Sequence, residues 1–375
     1  MIYFDNAAST PVFDEVNDYM YGLQKEVFGN PSALHVFGRK ARVEIERARK
    51  TVAKAVNVQT AEIFFTSGGT EANNAILWGC ARDLGKKVFI TSPTEHPCVL
   101  NTLEALVKYM DVDVKFVDVD NTGNIDMAHL EHLLMETKDA VVSLMHANNE
   151  TGLLLPVKKV SDLCKKYSAL FHSDIVQTAG KMNLDFQDLG FDFAAASAHK
   201  FHGPKGVGFM YVKSPLFFKS YIAGGRQERT MRAGTENFVG ICGMAKALKL
   251  ALKNIDNTVE YVLAIKNELI SGLEKEIPDI LFNGSAIQNS LYSLISVSLP
   301  KTFNKEMLLA NLDIEGIAVS TGSACSSGSG KGSHVLTALG ADPERASVRV
   351  SFSRFNKIEE AQRFVEALKR IGQKA

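Results

Sequence analysis

The chain has 375 residues, 46% of them hydrophobic, and its 42 Lys and Arg residues balance 42 Asp and Glu residues. This length is enough for a large core and about two domains, while the balanced charge provides no overall field to attract nucleic acid or a membrane surface. No apolar run approaches the roughly 20 residues of a membrane span, and the N-terminus MIYFDNAAST lacks the pattern of a secretory signal, so we expect a cytoplasmic protein that binds neither membrane nor nucleic acid directly.

The five cysteines indicate a reducing environment. They are scattered through the chain without a CxxC pair, which argues against a disulfide framework and against a zinc site. We therefore expect free thiols and no metal. The cysteines are Cys80, Cys98, Cys164, Cys242 and Cys325.

From about residue 40 to residue 250, short β-rich runs alternate with amphipathic helical patterns. Helices are predicted at 41–56, 101–110 and 157–167, and strands at 86–92, 114–120, 140–146, 170–174, 191–197 and 206–212. This alternation predicts an α/β fold with a mostly parallel sheet covered on both faces. Ligands of such a sheet bind at the carboxyl ends of the strands.

The pattern changes after about residue 255. A long helix at 258–277 is followed by strands at 293–300, 316–321 and 347–353 and by a final helix at 357–372. We therefore predict a large domain at 14–255 and a smaller α+β domain formed by 1–13 and 256–375.

The segment STGSACSSGSGKGSH at residues 320–334 places Cys325 among serines and glycines. Such a composition builds no core and is typical of flexible chain. We predict a mobile loop over about 321–333 that carries an exposed, reactive thiol, although a linker with a stray cysteine has the same composition.

The stretch TSGGTEANNAIL at residues 66–77 runs from a strand-like segment through two glycines into a helical pattern. Glycine backbone and a helix N-terminus together suit a phosphate group. A tight turn with Thr70 as the helix cap is the alternative.

Two ionisable residues follow apolar strands at the edge where ligands are expected. Asp174 ends the strand at 170–174, and Lys200 comes just after the strand at 191–197, close to Ser197 and His199. A solvated aspartate and a surface lysine are the ordinary alternatives. A phosphate cradle, an acid for a ring nitrogen and a lysine that can form an imine are together what pyridoxal 5'-phosphate requires.

Nine motifs spread over the whole chain resemble those of the cysteine desulfurases of the NifS/IscS type, which are class-V aminotransferases of PLP fold type I. This resemblance implies a homodimer in which each subunit has a large domain on a mostly parallel, seven-stranded sheet and a smaller α+β domain. The motifs are DNAAST-P, FGNPSALH, TSGGTEANN, TEH, HANNETG, HSDIVQ, SAHKFHGPKG, ERTMRAGTEN and STGSACSSGS.

The resemblance also implies roles for the residues that match its motifs. Lys200 would be the Schiff-base lysine and Asp174 the partner of the pyridine nitrogen. Gln177 would donate to the phenolic oxygen of the ring, and His96 would stack on the ring and shuttle protons. A capping or core histidine is the alternative for His96.

Further roles concern the phosphate group and the substrate. Asn149, which also binds the cofactor, and Arg349 would hold the substrate carboxylate, for which the planar fork of arginine is suited; a surface ion pair is the alternative for Arg349. The phosphate-binding residues implied are Gly69, Thr70, Ser197 and His199, with Thr235 reaching in from the second subunit.

The implied reaction is L-cysteine desulfuration, in which L-cysteine yields L-alanine and a persulfide on Cys325. The persulfide would pass to a sulfur-acceptor protein, either an iron–sulfur scaffold or a tRNA thiolation enzyme. A selenocysteine lyase or another class-V PLP aminotransferase is the alternative on the same fold, and a non-catalytic sulfur-relay or scaffold protein is the alternative from another class.

One segment departs from the family pattern. The chain reads GGRQERT where relatives often read GGGQERG, so Arg226 and Thr230 stand at glycine positions. We expect the backbone at these two residues to avoid the conformations that only glycine adopts readily.

Overall fold

The structure is a computed structural model that describes residues 1–286, 288–322 and 332–374. Cys325 and most of the loop predicted to be mobile lie outside the described residues. The predictions made for them stay predictions.

The strands of the described chain are short and largely buried. In chain order they are β1 (Ile2–Tyr3), β2 (Ile63–Thr66), β3 (Val88–Thr91), β4 (Asp113–Phe116), β5 (Val141–Ser143), β6 (Leu170–Asp174), β7 (Phe193–Ser197), β8 (Gly208–Val212), β9 (Leu281–Phe282), β10 (Leu294–Ser298), β11 (Ile317–Ala318) and β12 (Ser347–Ser351).

Helices connect most of these strands, and three short 3-10 turns lie at Thr60–Glu62, Ala198–Lys200 and Gln227–Thr230. The α-helices are α1 (Asp14–Glu26), α2 (Val36–Ala55), α3 (Gly69–Arg82), α4 (Pro97–Met110), α5 (Met127–Glu136), α6 (Val157–Lys166), α7 (Phe186–Leu189), α8 (Phe238–Leu252), α9 (Ile255–Glu276), α10 (Leu308–Ile314), α11 (His334–Ala338) and α12 (Ile358–Lys374).

Seven strands form the central sheet, in the order β2-β8-β7-β6-β5-β3-β4. Strand β8 runs antiparallel to both of its neighbours, and the pairs from β7 to β4 are parallel. Helices α3 and α4 cover one face, and α2, α5, α6 and α8 cover the other. The predicted α/β fold with a mostly parallel, seven-stranded sheet is confirmed. Because β3, β5, β6 and β7 are parallel, the loops that follow them meet at one edge of the sheet.

A second core lies beside the large one. The antiparallel sheet β12-β10-β9 and the parallel pair β1-β11 pack with α9 and α12 around apolar side chains such as Val262, Leu269, Phe364 and Leu368. The first residues of the chain join this core through the pairing of Ile2 with Ile317. The division of the chain into 14–255 and the remainder stays a prediction, which this separate core supports.

At the two positions where this chain replaces a family glycine, the expectation is confirmed for Arg226 and wrong for Thr230. Arg226 has an ordinary φ of −92°, whereas Thr230 has a φ of +71°, in the left-handed region. A buried ion pair explains this conformation: Glu228 binds Arg49 through both carboxylate oxygens at 2.7 and 2.8 Å and accepts the backbone N–H of Phe65 at 2.8 Å. These bonds fix Glu228, where the left-handed backbone begins; it continues through Arg229 to Thr230, with φ values of +44°, +55° and +71°.

We predict that Thr230→Gly stabilises the protein by about 1 kcal/mol, because a β-branched residue in the left-handed region is strained. The free energy of unfolding in urea measures the effect. Arg226→Gly is the matched control and should instead cost about 0.5–1 kcal/mol, since glycine only adds freedom to the unfolded chain there. Equal effects of the two substitutions would contradict the strain at Thr230.

Candidate active site

A cleft of about 490 Å³ opens at the carboxyl ends of the parallel strands. Ten of the residues that the sequence predicted for the site line it. They are Gly69, Thr70, His96, Asn149, Asp174, Gln177, Ser197, His199, Lys200 and Arg349.

The N-terminus of α3 forms one wall of this cleft. Gly68 is its N-cap residue and makes no side-chain capping bond, so Thr70 is in the first turn and is not the cap. A Cβ on Gly69 would lie 2.7 Å from Cγ2 of Val176, which shows how closely the backbone approaches the loop after β6. Backbone N–H groups at a helix end without a side-chain cap are suited to an anion.

Asp174 stands at the end of β6 with both carboxylate oxygens held. One oxygen accepts from Nδ2 of Asn73 at 2.6 Å, and the other accepts the backbone N–H of Val176 at 2.9 Å. Asn73 in turn contacts Nε2 of His172 at 3.1 Å, and burial lowers the pKa of His172 to about 3. Asp174 is therefore buried and oriented, not a solvated loop residue.

Lys200 ends the 3-10 turn that follows β7. Its Nζ donates to the carbonyls of Ala7 and Ala8 at 2.6 and 2.9 Å. Gln177 donates to the same Ala7 carbonyl at 3.0 Å. The N-terminal segment therefore contacts the lysine directly, a contact that no pattern in the sequence indicates.

Two histidines of the cleft have lowered pKa values. Burial, with the charges of Lys200 and two further lysines, lowers the pKa of His199 to about 4. Burial also lowers the pKa of His96; the charges of Lys200 and His334 act in the same direction, and Asp174 opposes them. Both rings are therefore neutral near pH 7, so each can form hydrogen bonds but carries no positive charge.

Arg349, on β12, reaches the cleft from the smaller core. It is 3% exposed and donates to the carbonyl of Asn149 at 3.0 Å and to Asp5 at 2.9 Å, so the surface ion pair considered for it is wrong. Within the described part of the chain, Nε of Arg349 and Oδ1 of Asn149 are buried without a hydrogen-bond partner. Such buried groups need a partner, which a bound ligand would supply.

Thr235 is the one described residue of the predicted set that does not line the cleft. It is exposed and lines a smaller adjoining cavity of about 80 Å³ that shares Ser67 and Gly206 with the cleft. This position leaves its side chain accessible from outside the chain.

Lys181 lies behind the cleft and was missed by the sequence analysis. It donates to Oε1 of Gln177 at 3.1 Å, and burial, with the charges of Lys200 and Arg349, lowers its pKa from 10.5 to about 7. The bond orients the Gln177 amide so that its NH₂ group points to the Ala7 carbonyl.

Because the folded protein holds the Lys181 proton more weakly than the unfolded chain, stability should rise with pH between about 7 and 10.5. Lys181→Met should remove this contribution, which has a slope of up to about 1.4 kcal/mol per pH unit. Urea unfolding of both proteins across this range measures the difference. The same substitution at the exposed Lys249 is the control and should leave the slope unchanged, and parallel curves for wild type and Lys181→Met would contradict the lowered pKa.

The donor set of the cleft fits pyridoxal 5'-phosphate. The glycine backbone at the start of α3 and the donors Thr70, Ser197 and His199 suit the phosphate. Asp174 suits a protonated ring nitrogen, and Lys200 suits an aldehyde carbon. The fold and this cleft together define a class of PLP enzymes of fold type I.

Comparison with known proteins agrees with this class. Residues 2–364 match the family described as aminotransferase class-V. The cysteine desulfurase IscS of Dictyoglomus turgidum is 41% identical over 100% of this chain and 95% of its own length. A solved NifS-like protein is 36% identical with a TM-score of 0.92 and covers 100% of both chains. A solved structure of SspA in complex with cysteine is 29% identical with a TM-score of 0.82, over 95% of this chain and 100% of its own.

The chain belongs to the aminotransferase class-V family, and the relatives named above include a cysteine desulfurase. Enzymes of this family depend on pyridoxal 5'-phosphate. The predicted fold type, family and cofactor are therefore confirmed, while the roles of the individual site residues stay predictions.

Proposed function

We propose that the protein is an L-cysteine desulfurase that converts L-cysteine to L-alanine and retains the sulfur as a persulfide on Cys325. The observation that carries the proposal is the convergence of Lys200, Asp174, His96 and Arg349 on one cleft. The full-length similarity to cysteine desulfurases and to a protein solved with cysteine supports the choice of substrate.

The cleft residues divide the work of binding. Arg349 and Asn149 would bind the substrate carboxylate by donating to it, Arg349 through its buried Nε, which lacks a partner among the described residues, and Asn149 through its amide NH₂ group. Oδ1 of Asn149 is also buried without a partner among the described residues, and because it can only accept, a donor on the ligand would have to satisfy it. The phosphate would be held by Gly69, Thr70, Ser197 and His199, and the ring by Asp174 and Gln177. When bound, pyridoxal 5'-phosphate supplies an electron sink for negative charge at the substrate Cα.

The protein's own groups then move the protons. The amine of Lys200 would remove the Cα proton of cysteine, a role for which a positioned lysine is suited. His96, a neutral ring at the N-cap of α4, would shuttle protons to and from the reacting atoms.

The sulfur step requires a nucleophilic thiolate. The Cys325 thiolate attacks the sulfur of the substrate, the substrate's Cβ–S bond breaks, and its electron pair stays with carbon, which is protonated to give alanine. The overall balance is cysteine plus one enzyme thiol giving alanine plus one enzyme persulfide. An acceptor protein of an iron–sulfur or tRNA thiolation pathway would then take the terminal sulfur.

We further propose a cytoplasmic homodimer. Phe28, Leu34 and Phe37 form an exposed apolar group near the start of α2, with Leu34 89% exposed and the two phenylalanine rings 5.0 Å apart. A patch of this kind is suited to a protein interface. The exposed Thr235 is accessible to a second subunit's cleft. No helix in the described ranges is long and apolar enough to cross a membrane.

The test is to incubate the cofactor-loaded protein with L-cysteine and a thiol reductant. We expect L-alanine and sulfide in equal amounts and, without reductant, one added sulfur atom on the peptide that contains Cys325. Amino transfer to a 2-oxo acid without release of sulfur would instead indicate an aminotransferase. Turnover of selenocysteine alone would indicate a selenocysteine lyase, and turnover of neither would indicate a non-catalytic protein.

A further inference from the structure

Cys98 lies in the cleft beside His96, yet neither the motifs nor the proposed mechanism gives it a role. We propose that Cys98 is a positioning residue whose thiol reinforces the tautomer of His96 that the backbone sets, and that it connects that ring, through Asn73, to Asp174. This role rests on the proposed function of His96 as a proton carrier, because the bonds from Cys98 set the orientation and protonation of the ring that carries the proton.

The backbone decides which nitrogen of His96 carries the proton. His96 is the N-cap of α4, and its Nδ1 accepts the backbone N–H of Cys98 at 3.1 Å. A peptide N–H can only donate, so Nδ1 must carry a lone pair. The proton of the neutral ring is therefore on Nε2.

The thiol of Cys98 reinforces this arrangement. Its Sγ lies 2.9 Å from the same Nδ1, and burial raises the pKa of the thiol to about 12. The group is thus S–H at neutral pH, and it shares the single lone pair of Nδ1 with the backbone N–H as a second, bifurcated donor. The sulfur also accepts from Nδ2 of Asn73 at 3.2 Å. The thiol is therefore a donor toward His96 and an acceptor from Asn73.

Asn73 extends the connection to the acid of the site. The same Nδ2 that reaches the thiol donates to Oδ2 of Asp174 at 2.6 Å. Its Oδ1 accepts from Nε2 of His172, whose Nδ1 is 2.8 Å from the Ser143 hydroxyl. The bonds among Asn73, Asp174, His172 and Ser143 have mutually consistent directions, and the side chain of Thr70 also bonds the Cys98 thiol.

The consequence is a His96 ring that resists a second proton. Protonation at Nδ1 would direct an N–H toward an N–H and an S–H, and it would place a cation at the N-terminus of α4. Of the charged groups that face the ring, Lys200 and His334 also disfavour the cation, and Asp174 favours it. Glu95, next in the chain, is fully buried and its pKa is raised well above the ordinary value, so it adds little negative charge.

The experiment measures His96 directly in the cofactor-loaded protein by NMR of ¹⁵N-labelled histidine, with His96→Gln to assign the signal. We expect the Nε2–H tautomer in wild type. Cys98→Ala should raise the proton-binding constant of His96 by about fivefold, the effect of one lost neutral hydrogen bond. The acid limb of the kcat/KM profile should move to higher pH by the same factor. Cys98→Ser, which keeps a donor, should restore most of the wild-type behaviour.

Cys164→Ala is the matched control, since Cys164 is also buried but lies in α6 away from the cleft. An Nδ1–H tautomer in wild type, or equal His96 titration in wild type and Cys98→Ala, would overturn the inference. A change shared by Cys98→Ala and Cys98→Ser would show that the sulfur only fills space. The NMR result does not depend on turnover of cysteine, so failure of the proposed function is distinguishable from failure of this inference.

Discussion

Cys325→Ser is expected to lower alanine formation from L-cysteine by a factor on the order of 10⁴ or more, the cost of losing a catalytic nucleophile. A serine hydroxyl is not ionised near pH 7, and it cannot form the sulfur–sulfur bond that takes the leaving sulfur. Thiols have an ordinary pKa near about 8.5, so a useful fraction of Cys325 is thiolate when cationic groups are close. Alanine released per minute with excess reductant measures the loss.

The loss should be confined to the sulfur step. The variant should still bind the cofactor and L-cysteine, which its absorbance spectrum and a cysteine titration would report. Cys164→Ala, at a buried position remote from the cleft, should keep wild-type turnover. Alanine formation at the wild-type rate in Cys325→Ser would contradict the proposed nucleophile, because none of the other cysteines is assigned to attack the substrate.

The central sheet could be predicted from the sequence because its strands are buried and bounded by polar turns. The strand predicted at 170–174 is β6, residue for residue. The first or last residue of a helix is harder to predict where a side-chain hydrogen bond sets it. Helix α2 begins at Val36, five residues before the predicted start, because Nδ1 of His35 accepts the backbone N–H of Gly38 and caps it. That bond depends on a histidine rotamer, which periodicity does not encode.

The two ionisable residues that the sequence indicated could likewise be placed, because Asp174 ends the parallel strand β6 and Lys200 comes three residues after β7. Their partners could not. The bonds from Lys200 to the carbonyls of Ala7 and Ala8 join parts of the chain more than 190 residues apart, and a backbone carbonyl has no sequence signature. The conformation of Thr230 was mispredicted for a related reason, since the buried Glu228 that shapes its turn is held by Arg49 on a distant helix.

Lys200→Ala is expected to lower alanine formation by about 10²–10⁴-fold or more, the usual contribution of a positioned acid–base group. The structure places its Nζ between the N-terminal carbonyls and the cleft, where an alanine leaves no base for the Cα proton. The variant should also lose covalent attachment of the cofactor. Borohydride reduction followed by mass spectrometry should find the cofactor on the peptide of Lys200 in wild type and find none there in the variant.

Chemical rescue separates loss of the amine from loss of the fold. A small primary amine such as methylamine fits the space left by the lysine side chain, so it should restore part of the turnover of Lys200→Ala in proportion to its concentration. Lys249→Ala, which removes an exposed lysine of α8, should behave as wild type and respond to no amine. Retention of wild-type turnover by Lys200→Ala would show that Lys200 has no part in the mechanism. The bonds from its amine to the carbonyls of Ala7 and Ala8 would then be structural contacts and would not position a catalytic base.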